Sequence, residues 1–217
     1  AASHADVIYS RHGRLEDGQA FYKDVKTRLS RYGRGPDDLK ILPGAAFVLG
    51  DSQEDAEERQ RAIRLQQVSP KNAIVFLEQV WNRDLSSYDP DGPLPEIDPE
   101  VASPTLAQGR ASRVDDRLET ARVWREIAER EKLSIRQLII KVTARQHFIG
   151  TPEAVARQIN HYVQENAADG FVFAPHLTPT GFDDFVEKVI PYLQEWGVYR
   201  KNYQTQTLRG NLGLAVD

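Results

Sequence analysis

Apolar and polar residues follow one another along the chain in blocks that predict strands alternating with amphipathic helices. Residues 5–10 form a short apolar run with strand-forming side chains, and residues 39–49 form a second one. Between them, residues 15–32 carry apolar side chains at helical spacing, and a Gly- and Pro-containing turn ends that pattern. We therefore predict a strand, a helix and a second strand, with a bulge or break at Pro43-Gly44.

The middle of the chain is less regular. A charged helix is predicted over residues 53–67, with Asp51 or Ser52 as its N-cap, and a short helix over residues 71–81. Residues 82–112 contain Pro and Gly at a density that neither helices nor strands tolerate. We interpret them as a long insertion loop, which is typical of either a functional lid or a disordered segment.

The last third of the chain returns to the alternating pattern. A third strand is predicted over residues 171–174, and Pro191 predicts a kink or break in the final long helix. The predicted helices span residues 115–132, 133–144 and 182–196, and Ser134 is the predicted N-cap of the second of these. A further helix begins at Pro152 with Thr151 as its N-cap and is ended by Ala168-Asp169-Gly170. Strands that alternate with helices indicate an α/β protein with parallel βα units, and the pattern leaves open whether the sheet is doubly wound or closed into a barrel.

Composition and charge exclude several classes of protein. The 217 residues carry a formal net charge of −4, and acidic and basic side chains are mixed, so we expect no nucleic-acid partner. No apolar run is long enough to cross a membrane, and we expect a cytoplasmic protein. Cys is absent, which excludes disulfides and thiolate sites, and the lack of an initial Met leads us to expect natural sequence before Ala1.

Four motifs in a fixed order span nearly the whole chain. They are HADVIYS, FYKDVKTRLSRYGRGPDDLKILPG, LSSYDPDGPLP, and GTPEAVARQINHYV followed by a tail that contains LRGNLGL. Together they resemble the bacterial luciferase-like flavin-dependent monooxygenases, in particular the group with nitrilotriacetate, dibenzothiophene-sulfone and long-chain alkane monooxygenases. The joined GR-x-PD and LPG pattern and the terminal LRGNLGL are the most specific parts of this resemblance.

The resemblance implies a fold. Residues 5–10, 39–49 and 171–174 correspond to the last three strands of a TIM (β/α)8 barrel, so the expected fold class is a partial TIM barrel. Residues 1–217 are then the C-terminal part of a single barrel domain, with the insertion at about 82–112. In the family, the serine-containing loop that holds the flavin phosphate follows the fifth strand, upstream of Ala1.

The resemblance also implies a function. The expected parent protein is a two-component monooxygenase that uses reduced FMN and O₂ to oxygenate a small organic substrate. A separate NAD(P)H:flavin reductase supplies the flavin, and the protein is expected to be a homo-oligomer. Two alternatives stay open: an oxidoreductase of the same fold that uses the deazaflavin F420, and a catalytically inert fragment that acts only in assembly.

Candidate site residues come first from the predicted strand ends, because barrel enzymes carry their chemistry there. His176 is the catalytic candidate, since an imidazole exchanges protons at neutral pH. Ser10 and Arg11 are candidates for cofactor binding, and Arg11 can pair with a phosphate or a carboxylate. The ordinary alternatives are a loop histidine bound to its own backbone and a solvated arginine.

The start of the insertion supplies candidates for a substrate pocket. Trp81, Arg83 and Asp84 lie there, although a Trp beside a loop is more often a packing anchor. Some family members have a pocket histidine near this position, and its absence leaves the substrate open. No metal site is predicted, because His147 and His161 lack ligand spacing.

Overall fold

The computed structural model describes residues 1–12, 14–101, 116–143 and 147–215. The chain divides into two compact units, of which the first comprises Ala1–Gln60 with Arg145–Asp217 and the second Arg61–Ala144. The predicted insertion loop falls in the second unit, and its residues 102–112 lie outside the described part. Within the described residues, no helix has the length and apolar character needed to cross a membrane.

The strands and helices have the following bounds. The strands are β1 (Val7–Ser10), β2 (Lys40–Leu49), β3 (His147–Gly150) and β4 (Val172–Phe173). The helices are α1 (Leu15–Leu29), α2 (Gln53–Gln67), α3 (Pro70–Trp81), α4 (Arg117–Glu131), α5 (Ile135–Val142), α6 (Pro152–Gln164), α7 (Thr180–Lys188), α8 (Ile190–Glu195) and α9 (Leu208–Asn211). Short 3₁₀ turns cover Ser30–Tyr32 and Pro36–Asp38. The break predicted near Pro191 is confirmed, because α7 ends at Lys188 and α8 begins at Ile190 with Pro191 in its first turn.

The first unit contains a parallel sheet centred on β2, which confirms the predicted α/β class. β2 pairs in parallel with β1, β3 and β4. The break predicted at Pro43-Gly44 is wrong, since β2 runs unbroken through both residues. Pairing with β1 ends at Pro43 and pairing with β4 begins at Gly44, so the residue without an N–H lies where the partner strand changes.

β3 is a fourth strand that the sequence pattern does not predict. It spans four residues, His147–Gly150, and pairs with the carboxyl half of β2. Only Phe148 and Ile149 provide an apolar signal, which is too short to show a strand periodicity. The Thr151-Pro152 helix start directly after it is confirmed, because the Thr151 hydroxyl accepts a hydrogen bond from the backbone N–H of Ala154.

The core clusters of this unit pack helices against one face of the sheet. Ile41 and Phe47 of β2 are 0% and 2% exposed. Ile41 shares a core cluster with side chains of α1, and Phe47 shares one with side chains of α6. Most residues on the opposite side are more accessible, and Tyr9 is 55% exposed, while Val48 near the end of β2 is buried. We call this side the open face. Its residues, assigned from strand register and alternation, include Val7, Tyr9, Lys40, Leu42, Gly44, Ala46, Val48 and Val172.

The second unit is helical. Helices α3, α4 and α5 pack around a core that includes Leu77, Trp81 and Ile139. The hydroxyl of Ser134 accepts a hydrogen bond from the N–H of Gln137, whose side chain in turn accepts from the N–H of Ser134. This capping box confirms the predicted N-cap of α5.

Three of the four sequence motifs meet at the amino end of β1. The Arg209 guanidinium of LRGNLGL donates two hydrogen bonds to the Asp6 carboxylate of HADVIYS. Arg34 of the GR-x-PD motif lies 4.0 Å from the same carboxylate and donates to the carbonyls of Ala2 and Ala5. We call Asp6, Arg34 and Arg209 the Asp6 clasp. It joins residues from both ends of the described chain.

The clasp makes stability depend on pH. The hydrogen bonds from Arg209, followed by the attraction of both arginines, lower the pKa of Asp6 below its ordinary value of 3.8. The charged carboxylate therefore stabilises the folded state above about pH 4, and that contribution is lost as pH falls through the folded-state pKa. In thermal unfolding, we expect Asp6→Asn to melt below the wild type at pH 7 and the gap to shrink below pH 4.

Asp24→Asn is the matched control for this pH series. Asp24 pairs with Arg28 on the exposed surface of α1, away from the clasp residues in sequence, so its loss is expected to change the melting temperature little. A gap between wild type and Asp6→Asn that stayed constant down to pH 3 would contradict the role assigned to the clasp.

Candidate functional site

The carboxyl ends of the strands lie at one edge of the parallel sheet. β1 ends at Ser10, and Gly50 and Gly150 lie at the ends of β2 and β3. The N–H of Gly50 donates to the carbonyl of Gly150 over 3.1 Å, which ties these two ends together. A Cβ on Gly50 would lie 2.4 Å from the backbone nitrogen of Ala56, so only glycine allows the first turn of α2 to approach this closely.

Ser10 lies at this edge with an unsatisfied hydroxyl. Its side chain is nearly buried, at 9% exposure, and its Oγ has no hydrogen-bond partner among the described residues. A buried hydroxyl without a partner costs free energy, so it marks a position where another group is needed. Arg11, the next residue, is exposed.

His12 is another polar residue at the end of β1. The sequence alone assigns it no role. Its ring centroid lies 4.9 Å from that of Phe21 in α1, and its Nε2 has no hydrogen-bond partner in the part of the chain that the structure describes. Burial lowers the pKa of His12 below its ordinary value, which favours the neutral imidazole at pH 7. The sequence carries no signal for this, because the burial arises from α1 folding back over the strand end.

His176 follows β4 on the same edge of the sheet as Ser10 and Arg11. It is exposed and makes no hydrogen bond to another described residue. The ordinary alternative for His176, a loop histidine that hydrogen-bonds to its own backbone, is not supported by any contact among the described residues. The catalytic role of His176 stays a prediction, as do the cofactor-binding roles of Ser10 and Arg11.

The three substrate-pocket candidates in the second unit form hydrogen bonds with the loop that follows α3. Trp81 is fully buried, its indole N–H donates to the carbonyl of Ile97 over 2.8 Å, and the guanidinium of Arg125 lies 5.6 Å from its ring. Arg83 donates to the carbonyl of Asp98 over 2.9 Å. Asp84 accepts from the N–H of Ser86.

These contacts show Trp81 as an anchor for the loop. A pocket role for Trp81, Arg83 and Asp84 stays a prediction, because none of the three lines the open cavity of about 780 Å³ found in this unit. That cavity lies between residues 91–96 and the junction of α4 with α5. Arg125 takes part in both the cavity and the contacts that anchor the loop. It lines the cavity, and it donates to the carbonyl of Ile97, which also accepts from Trp81.

Comparison with known proteins decides the family. The sequence model of a family described as luciferase-like monooxygenase matches residues 1–169. The chain belongs to this family. The luciferase-like resemblance drawn from the four motifs is therefore confirmed.

Several curated members of the luciferase-like family match this chain along nearly its whole length. Nitrilotriacetate monooxygenase component A of Aminobacter aminovorans is 37% identical over 99% of this chain and 45% of its own length. N-acetyl-S-(2-succino)cysteine monooxygenase of Bacillus subtilis is 34% identical over 99% of this chain and 46% of its own length. The chain spans about half the length of the curated relatives it matches.

Solved structures of the luciferase-like group have the same fold. EDTA monooxygenase from Chelativorans sp. BNC1 matches with a TM-score of 0.61 and 26% identity, covering 99% of this chain and 47% of that one. Long-chain alkane monooxygenase matches with a TM-score of 0.63 and 25% identity, covering 98% and 42%. The relatives differ widely in the substrates that their names give.

Proposed function

We propose that this chain is the C-terminal part of a two-component, FMN-dependent monooxygenase that oxygenates a small organic substrate. The observation that carries the proposal is the match of 99% of the chain to a protein named as component A of a monooxygenase. The word "component" in that relative's name supports a second protein, and we propose that it is an NAD(P)H:flavin reductase. A homo-oligomeric state belongs to the same proposal.

The chain is proposed to form the last strands of a (β/α)8 barrel. The open face supports this, because it presents apolar side chains such as Val7, Leu42 and Val172 on a parallel sheet whose other face is covered by helices. Parallel sheets are normally covered on both faces. Sequence that precedes Ala1 in the parent would cover the open face by supplying the remaining barrel strands.

The residues at the carboxyl edge fit a flavin in two respects. Ser10 has a buried hydroxyl with no partner among the described residues, and that hydroxyl can donate a hydrogen bond to the cofactor. Arg11 is exposed beside it and can pair with the flavin phosphate or with a carboxylate on the substrate. Reduced FMN supplies the electrons that activate O₂, and the protein's part is to bind and orient it and to exclude water.

The proposed function is tested on the full-length parent protein. Under anaerobic conditions, the protein is titrated with reduced FMN and, separately, with reduced F420. It is then exposed to O₂ with a panel of organic substrates. Saturable FMN binding and substrate-dependent O₂ consumption are expected. F420 binding with hydride transfer and no use of O₂ would replace the proposal by the F420-dependent alternative.

The inert-fragment alternative is tested with the 217-residue chain alone. We expect this chain to bind FMN at least tenfold more weakly than the parent, because the resemblance places the phosphate-binding loop upstream. Size-exclusion chromatography and flavin-fluorescence titration measure both its assembly and its affinity. Affinity equal to that of the parent would contradict the expected location of the phosphate site.

A further inference from the structure

Tyr9 places a hydroxyl group on the open face. Lys40 belongs to the same face by register, but it lies at the amino end of β2, where its ammonium donates to the Asp37 carboxylate over 3.3 Å. Tyr9 is 55% exposed, and its hydroxyl has no hydrogen-bond partner among the described residues. It is the next-to-last residue of β1, so it lies near the carboxyl edge of the sheet.

The ring of Tyr9 lies across Gly44 on the neighbouring strand. Tyr9 is paired with Leu42, and its side chain extends from there toward Gly44, in the direction of the carboxyl edge. A Cβ built on Gly44 would lie 2.2 Å from the Tyr9 hydroxyl oxygen and 2.7 Å from the ring carbon that bears it. Glycine at this position therefore gives the ring the space to lie flat on the sheet.

Packing alone explains the ring of Tyr9 and leaves its hydroxyl unexplained. If the open face were covered only by apolar barrel residues, the hydroxyl would be buried without a partner, at a cost that Phe would avoid. A buried tyrosine hydroxyl normally has a hydrogen-bond partner. In (β/α)8 enzymes, the carboxyl end of the barrel is where ligands bind, so a bound ligand is the partner that the position favours.

We propose that Tyr9 is a flavin-binding residue, with its ring giving apolar contact area and its hydroxyl donating a hydrogen bond to a heteroatom of the isoalloxazine ring. Gly44 acts with it by leaving the space in which the phenol lies. This inference rests on the proposed function and deepens it, because it assigns a flavin contact to β1 of this chain.

The test is equilibrium binding of FMN to full-length parent protein that carries Tyr9→Phe. The variant removes only the hydroxyl, so its melting temperature is expected to stay within about 2 °C of the wild type, while its Kd for FMN rises about threefold to tenfold. Tyr32→Phe is the matched control, because Tyr32 is 58% exposed and lies in a short turn that precedes the amino end of β2, far in sequence from the carboxyl ends of β1 and β2. Its Kd is expected to match that of the wild type.

Gly44→Ala is a second, independent variant. Its methyl group would displace the Tyr9 ring, so FMN affinity is expected to fall by at least as much as in Tyr9→Phe. Equal FMN affinities for wild type and Tyr9→Phe would overturn the inference, whatever happens to KM for the substrate. Failure of the wild-type parent to bind FMN would instead overturn the proposed function, so the two failures are distinguishable.

Discussion

Phe148→Ala is expected to lower the free energy of unfolding by about 3–5 kcal/mol. Phe148 is fully buried in β3, and its ring makes edge-to-face contacts with Tyr162, Phe171 and Phe173 at centroid distances of 5.6, 5.0 and 6.1 Å. Truncation removes this buried area and leaves a cavity that the surrounding rings cannot fill without losing their own geometry. Urea titration followed by circular dichroism measures the change.

Phe182→Ala controls for the loss of a phenyl ring as such. Phe182 is 44% exposed and stacks on Phe185 with centroids 6.4 Å apart. Its removal is expected to cost less than about 1 kcal/mol. If both variants lost the same free energy, Phe148 would not hold the central place in the aromatic core that its contacts indicate.

Asp169→Ala is expected to have an effect of similar size, about 3–5 kcal/mol, for an electrostatic reason. The carboxylate of Asp169 accepts from the ammonium of Lys26 over 2.8 Å, the N–H of Ile41 over 2.7 Å and the hydroxyl of Tyr22 over 3.0 Å. The side chains of Lys26 and Asp169 are only 9% and 15% exposed. The substitution leaves a nearly buried ammonium without its counter-ion.

Burial, with the nearby Asp169 carboxylate adding to it, raises the pKa of the Tyr22 hydroxyl well above its ordinary value. Tyr22 therefore stays protonated and keeps donating to Asp169 at all pH values at which the protein is handled. The network connects α1, β2 and the segment before β4 through one carboxylate.

A double-mutant cycle separates the charge from the hydrogen bonds. Lys26→Met with Asp169→Asn removes both charges and keeps an amide oxygen for the N–H of Ile41. We expect the pair to cost less than the sum of its single variants, with a coupling free energy of at least about 1 kcal/mol. Additive costs would show that the two charges do not stabilise each other, and Asp24→Ala, in the exposed Asp24–Arg28 pair, gives the baseline.

Long amphipathic elements could be predicted from the sequence, and short or context-dependent ones could not. The bounds of α2 and the division at Pro191 follow from local chemistry, namely charge periodicity and a missing N–H. β3 is missed because its four residues gain their stability from pairing with β2. The continuity of β2 through Pro43 likewise depends on which neighbour it pairs with at each step.

The same division applies to the candidate site: residues marked by local sequence could be predicted, and contacts that depend on strand pairing or packing could not. Strand ends are visible in the sequence, so Ser10 and His176 are named and the structure places both at the carboxyl edge of the sheet. The relation of Tyr9 to Gly44 is not visible, because it needs the register between two strands separated by a helix. The lowered pKa of His12 depends in the same way on burial, since its ring packs against Phe21.

The Asp6 clasp has a consequence for how proteins of this kind are sorted. Its residues come from the motifs by which the chain is recognised, and they lie at the amino end of β1, away from the edge where chemistry is expected. A search keyed to those motifs selects for a shared scaffold and groups proteins whose names give unrelated substrates, as nitrilotriacetate and alkane monooxygenases show. Classification by substrate would need the residues at the opposite ends of the same strands.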